Sequence, residues 1–169
     1  MENSIISEKG IIPVFDYVGF QGPIITTMIT YFSLLEKPMY AWMFIIGSVL
    51  NYLFVLVLKD AIKQPRPSNP IPYIQDDMYK GAILYGMPSG HAQITFFSIT
   101  YLYLTNRPFP LVALSFFIGC LTLYQRWKFR RHSVEQLVVG TINGSAFSYG
   151  IYWMTTNYLQ RKYTPKSIF

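Results

Sequence analysis

Charged residues along this chain are separated by long uncharged intervals. Between Lys37 and Lys59 runs PMYAWMFIIGSVLNYLFVLVL, about the ~20 apolar residues a helix needs to cross a bilayer. A second interval, FPLVALSFFIGCLTLYQ, extends from Phe109 to Gln125; AQITFFSITYLYLT covers Ala92 to Thr105, and Gln136 to Gln160 holds no charge. All four are too long and too evenly apolar for surface strands, and none shows a one-sided stripe. They predict four transmembrane helices, since a soluble bundle with four wholly apolar helices could not cover its surface with the few charges left over. Val18 to Leu35 is apolar enough for a fifth helix, but Pro23 and the threonines at 26, 27 and 30 weaken that reading, and an interfacial or re-entrant segment is the other expectation. Met1 to Gly10 carries Glu2, Glu8 and Lys9 instead of a basic leader, so a signal peptide is not expected. Gly140 and Gly144 form a small-xxx-small pair suited to close helix packing. The prediction is an all-α, multi-pass membrane helical bundle of four to six helices, residues 1–169 forming one membrane-embedded domain.

Composition narrows this further. Only 13% of residues are charged, against ~25% in a soluble domain, and 51% are hydrophobic, which excludes a disordered or acidic-tail protein. The single cysteine, Cys120, forbids an intrachain disulfide and is expected to be apolar filler. Lys and Arg number 14 against 8 Asp and Glu, which suggests an anionic partner. Nucleic acid drops out once those charges are mapped onto a membrane protein. The lipid bilayer itself and a phosphate-bearing ligand remain.

The helix ends say where that ligand sits. If the four runs span, the ends at Lys59, Gly90-His91, Arg126 and His132 all fall on one side of the membrane. That side holds Lys59, Lys63, Arg66, Lys80, Arg126, Lys128, Arg130, Arg131 and both histidines, His91 and His132. Helix N-termini present free N–H groups to anions, and Ser89-Gly90 would open one, with glycine allowing close approach. Arg66 and Arg126 can offer planar forks to phosphate oxygens, while Lys59 acts as a point charge. Two histidines suit a nucleophile and a general acid near neutral pH. The Lys128, Arg130, Arg131 cluster reads as a solvated or lipid-head-group face. The connection from Lys59 to Pro88, about 30 residues with Pro65, Pro67, Pro70, Pro72 and Pro88, is long enough to be functional. No cluster has metal-ligand spacing, so neither a divalent ion nor a cofactor is expected.

Lys59-x6-Arg66-Pro67, Pro88-Ser89-Gly90-His91 and Arg126-x5-His132 together resemble the three ordered motifs of the type 2 phosphatidic acid phosphatase superfamily, whose helical fold is shared with vanadium haloperoxidases. The resemblance covers about residues 47–144. Within it, IKQPRP, YGMPSGHAQ and HSVEQLVVG are most similar to dolichyldiphosphatases, enzymes of the endoplasmic reticulum membrane. That implies removal of the terminal phosphate of a polyprenyl diphosphate. Phosphatidic acid, undecaprenyl diphosphate and sugar phosphates stay open as substrates. A silent scaffold is disfavoured by the intact His132, His91 and Arg126.

By the same resemblance, His132 would attack phosphorus and form a phosphohistidine, and His91 would protonate the leaving oxygen and then activate water. Lys59, Arg66, Arg126, Ser89 and the Gly90 amide would hold the equatorial oxygens. Two positions depart from the family pattern. Gln136 stands where most members have Asp four residues after the nucleophile; its amide oxygen can still accept the Nδ1–H, so Gln136→Asp is expected to keep or raise activity. Ser133-x-x-Gln136 also fits a capping box, a competing structural role. Gln125 stands where the family usually has Ser, which leaves one phosphate contact open.

Overall fold

The computed structural model describes residues 14–73 and 84–163, so Lys80 and Met1 to Gly10 lie outside the described residues. Within them five helices follow one another: α1 (Val14–Ser33), α2 (Pro38–Ile62), α3 (Gly90–Leu104), α4 (Phe109–Lys128) and α5 (Val134–Tyr163). No strand occurs among the described residues.

The doubtful N-terminal segment is one continuous helix of 20 residues with Pro23 inside it. Its threonines are compatible with burial because their hydroxyls are satisfied locally. Thr26 Oγ1 donates to the Gly22 carbonyl at 2.8 Å, and Thr30 Oγ1 to the Thr26 carbonyl at 2.8 Å and the Ser98 carbonyl of α3 at 3.1 Å. Gly19 and Gly22 bring α1 against α4: a Cβ at Gly19 would lie 2.9 Å from the Gln125 Cβ, and one at Gly22 would strike the Thr122 side chain.

α2 starts with Pro38, whose missing N–H costs nothing at that position, and ends on Lys63 in the left-handed region (φ 50°), its N–H bonded to the Lys59 carbonyl. α3 is the inner helix and packs on all four others. At 15 residues it is about 22 Å long by the 1.5 Å rise, short of the ~30 Å hydrocarbon core. Enclosed by protein, it has no need to match that thickness. Among the described residues, α2 and α4 are the two helices long and apolar enough to cross a membrane by length and composition. α3 lies closest on α5, through the predicted glycine pair. A Cβ at Gly140 would lie 2.6 Å from the Ser89 carbonyl oxygen, and one at Gly144 would enter the Gln93 backbone.

The two ends of the bundle differ. One is sealed by Leu34, Ala41, Phe44, Phe97, Tyr101 and Ile151, with Phe44 stacked on Phe97 at 5.6 Å between ring centroids. The other carries the histidines. Between them the outer faces of the helices show large apolar side chains, among them Trp42, Val49, Leu53 and Val57 on α2, Phe116 and Phe117 on α4, and Ile142 and Trp153 on α5. So much exposed apolar surface suits lipid, not water.

Candidate active site

Of the residues expected to share one side of the bundle, the motif cations and both histidines meet. Lys59, Arg66, Gly90, His91, Arg126 and His132 line a single cavity of about 180 Å³. Lys59 comes from the last turn of α2, Gly90 and His91 from the first turn of α3, Arg126 from the last turn of α4, and His132 from the short link before α5. Arg66 reaches in from the proline-rich strap that follows α2. Tyr52, Val55, Leu56 and Ile94 form the apolar remainder of the wall. Three of these precede Lys59 by seven, four and three residues, so one face of α2 carries them all. That spacing was available in the sequence.

Hydrogen-bond chemistry decides how His132 is presented. An Arg66 Nη1–H lies 3.0 Å from His132 Nε2, and arginine can only donate, so Nε2 is the ring's acceptor. The proton of the neutral ring is then on Nδ1, 3.1 Å from Gln136 Oε1. Gln136 is oriented in turn by its other end, whose Nε2 donates to the Pro65 carbonyl at 2.8 Å and to Gln64 Oε1 at 3.0 Å. A carbonyl accepts only, so the amide cannot be turned round. The same Oε1 accepts from the Ser133 N–H at 3.2 Å, and Ser133 Oγ accepts from the Gln136 N–H at 3.3 Å, which is the capping box. Orientation and capping are therefore one arrangement, not competing roles. His132 is buried, and that burial, followed by the charges of Arg66, Arg126 and Lys59 and by His91, holds its pKa well below the ordinary imidazole value. At neutral pH it presents an unprotonated Nε2.

His91 faces it across the cavity, with an Arg126 Nη1–H 3.4 Å from its Nε2. Lys59 Nζ donates to the Tyr85 carbonyl at 2.6 Å, and Arg66 Nε to the Leu84 carbonyl at 3.3 Å, so both cations also tie down the far end of the long connection. A Cβ at Gly90 would meet only Val55 within the bundle, at an ordinary 3.5 Å. Helix packing does not demand that glycine; approach of a ligand to the α3 N-terminus would.

Ser89 is placed differently from the expectation. It is wholly buried and not part of the cavity wall. Its side chain is the N-cap of α3, accepting from the Ala92 N–H at 3.4 Å, and its own N–H donates to the Gln136 carbonyl at 2.9 Å. It joins the starts of α3 and α5 from below. Gln125 is also buried outside the wall, with neither amide atom hydrogen-bonded.

The basic cluster after α4 divides as well. Arg131 is buried, donating from Nη2 to the Ile71 carbonyl at 2.8 Å while its own carbonyl accepts from Arg66 at 2.9 Å. Lys128 pairs with the buried Asp16 of α1 at 2.6 Å, and Arg130 is exposed. Lys128 and Arg130 are both exposed, as the expected solvated face requires, and Arg131 alone departs from it. The partners of Arg131 and Lys128 lie 60 and 112 residues away, beyond any local pattern. Among the described residues, no group of three or more His, Cys, Asp or Glu could hold a metal ion.

Comparison with known proteins bears on the family. A dolichyldiphosphatase from Saccharomyces cerevisiae is 32% identical over 104 residues, covering 56% of this chain and 43% of that protein, so the match takes in under half of the relative's length. No solved structure matches the chain. The PAP2 superfamily model matches residues 40–160, from the first turns of α2 to near the end of α5 and across all three motifs. With that span matched and the motif side chains gathered in one cavity at the end of a membrane-type helical bundle, the chain belongs to the PAP2 superfamily.

Proposed function

We propose that this protein is an integral membrane phosphatase that removes the terminal phosphate of a polyprenyl diphosphate through a phosphohistidine on His132. The observation that carries the reading is the composition of this cavity: three cations, a helix N-terminus and two histidines beside a wall of Tyr52, Val55, Leu56 and Ile94. Such a wall suits the first isoprene units of a lipid, and it has no use in binding a free sugar phosphate. The yeast relative is a dolichyldiphosphatase, which supports the same substrate class.

In the proposed reaction, the phosphate draws the Arg66 fork away from His132 Nε2 and onto its own oxygens. The freed lone pair attacks the terminal phosphorus; the bond to the bridging oxygen breaks, and that oxygen takes the proton that His91 Nε2 accepts from the incoming phosphate monoanion once the phosphate has drawn Arg126 off that nitrogen. Gln136 Oε1 accepts the Nδ1–H throughout and keeps the phosphorylated ring in place. His91 then removes a proton from water, the hydroxide attacks phosphorus, and the P–N bond breaks to release phosphate and neutral His132. Splitting one displacement in two lowers each barrier. Lys59, Arg66, Arg126 and the α3 N-terminus offset the charge on the equatorial oxygens. None of these steps calls on a divalent ion. The reading places the work in the endoplasmic reticulum membrane, in keeping with the subgroup its motifs resemble.

The test compares dolichyl diphosphate, undecaprenyl diphosphate, phosphatidic acid and glucose 6-phosphate in detergent, with and without chelator. Isoprenoid diphosphates should be preferred, with chelator-resistant, vanadate-sensitive release of phosphate and a trapped phosphopeptide containing His132. Preference for glucose 6-phosphate would sink the lipid reading, and retained turnover in His132→Ala would sink the covalent one.

A further inference from the structure

α1 lies wholly outside the region matched by the family, yet it reaches the site. The half-buried ring of Phe20 lies 5.9 Å from the His91 ring and 5.6 Å from the Arg126 guanidinium carbon, centroid to group. It also meets the Tyr73 ring at 5.2 Å, and Tyr73 in turn meets Phe129 at 4.5 Å. One aromatic side chain thus touches the proposed acid, a phosphate-binding arginine and the strap. We infer that Phe20 is a positioning residue of this site, its ring face holding Arg126 and His91 in the mutual geometry that the reacting phosphate requires.

Three features make the placement specific. Asp16, one helical turn before Phe20, pairs with Lys128 at 2.6 Å, two residues beyond Arg126, so α1 is pinned beside the arginine it serves. Gly19 and Gly22 let α1 approach α4 closely enough for the ring to reach across. A guanidinium over a ring face is attracted electrostatically, and the attraction grows where water is excluded. Without the ring, Arg126 keeps its charge but loses the surface that sets its angle. His91 loses a wall that separates it from lipid and water.

The inference takes phosphate as the ligand from the reading above, and the test separates the two. Orthovanadate binding to the detergent-solubilised full chain is measured by calorimetry, alongside kcat, KM and melting temperature, for Phe20→Leu and Phe20→Tyr. Phe20→Leu keeps the bulk and removes the ring face. It should weaken orthovanadate binding and lower kcat by about tenfold or more, the scale of a desolvated cation–π contact, with KM changed less than about threefold. Phe20→Tyr keeps the face and should restore both. A folded Phe20→Leu protein that binds vanadate and turns over like wild type overturns the inference. So does a folded Phe20→Tyr protein as impaired as Phe20→Leu. If wild type hydrolyses none of the lipids, the proposed function fails, and the vanadate comparison still decides the role of Phe20.

Discussion

One amide, that of Gln136, makes four side-chain contacts: Oε1 accepts from His132 Nδ1 and the Ser133 N–H, and Nε2 donates to Gln64 Oε1 and the Pro65 carbonyl. Aspartate is one carbon shorter and has no donor, so it cannot reproduce the last two. The tolerance expected from sequence for Gln136→Asp is therefore replaced by a loss: kcat should fall about tenfold and the melting temperature should drop, since leaving buried polar groups unpaired costs about 1–3 kcal/mol. Gln136→Glu keeps the reach but sets acceptor against acceptor at Pro65, and thermal melts should place it below wild type too. At His91 the expectation is simpler. His91→Ala should lower kcat by about 10²–10⁴, the range for a lost general acid, with KM little changed, in steady-state assays. Which residue types would do chemistry was legible, because only two histidines exist and both fall at ends of uncharged runs. The partners of Gln136 were not, since they are 71 and 72 residues away.

Among the elements, the contact of α3 with α5 sets the distance between the helix N-terminus and His132. Gly144→Ala would drive a methyl into the Gln93 backbone, and overpacking of this kind costs about 1–3 kcal/mol. Gly150, two turns further on, has nothing within 4 Å of its would-be Cβ, so Gly150→Ala should be neutral or stabilise by up to about 1 kcal/mol through helix propensity. Melting temperatures of the two variants in one detergent check the contrast. In the connection, a Cβ at Gly86 would lie 2.6 Å from Gln136 Cδ, whose amide is held on both ends. Gly86→Ala should depress turnover as well as stability. The existence of α2 to α5 was plain from uncharged runs, and Gly140 and Gly144 announced close packing. α1 stayed ambiguous because polar threonines and a proline count against a helix until their tertiary partners are known; Thr30 finds one in Ser98.

Across the whole molecule, the polar end carries a buried imidazole held neutral by burial and by three cations, and this has a consequence for pH. The unfolded chain takes up a proton at His132 near the ordinary value of about 6.5, while the folded chain resists it to a lower pH. Between those two values the unfolded state binds more protons, so stability falls as pH drops below about 6.5. Wild type should lose melting temperature between about pH 7 and 5, and His132→Gln, which has no proton to gain, should lose less. By itself the sequence determined the membrane character of the bundle, the number of long helices to within one, and the side on which three motifs collect. Those follow from chain-local quantities: length of uncharged run, helix-breaking residues, and the parity of crossings. Tertiary structure alone decided that Ser89 caps instead of lining the cavity, that Arg131 braces the strap, and that Phe20 stands against His91 and Arg126. Each of these depends on a partner remote in the chain or on which way a side chain turns once helices are packed, and neither is written in local pattern.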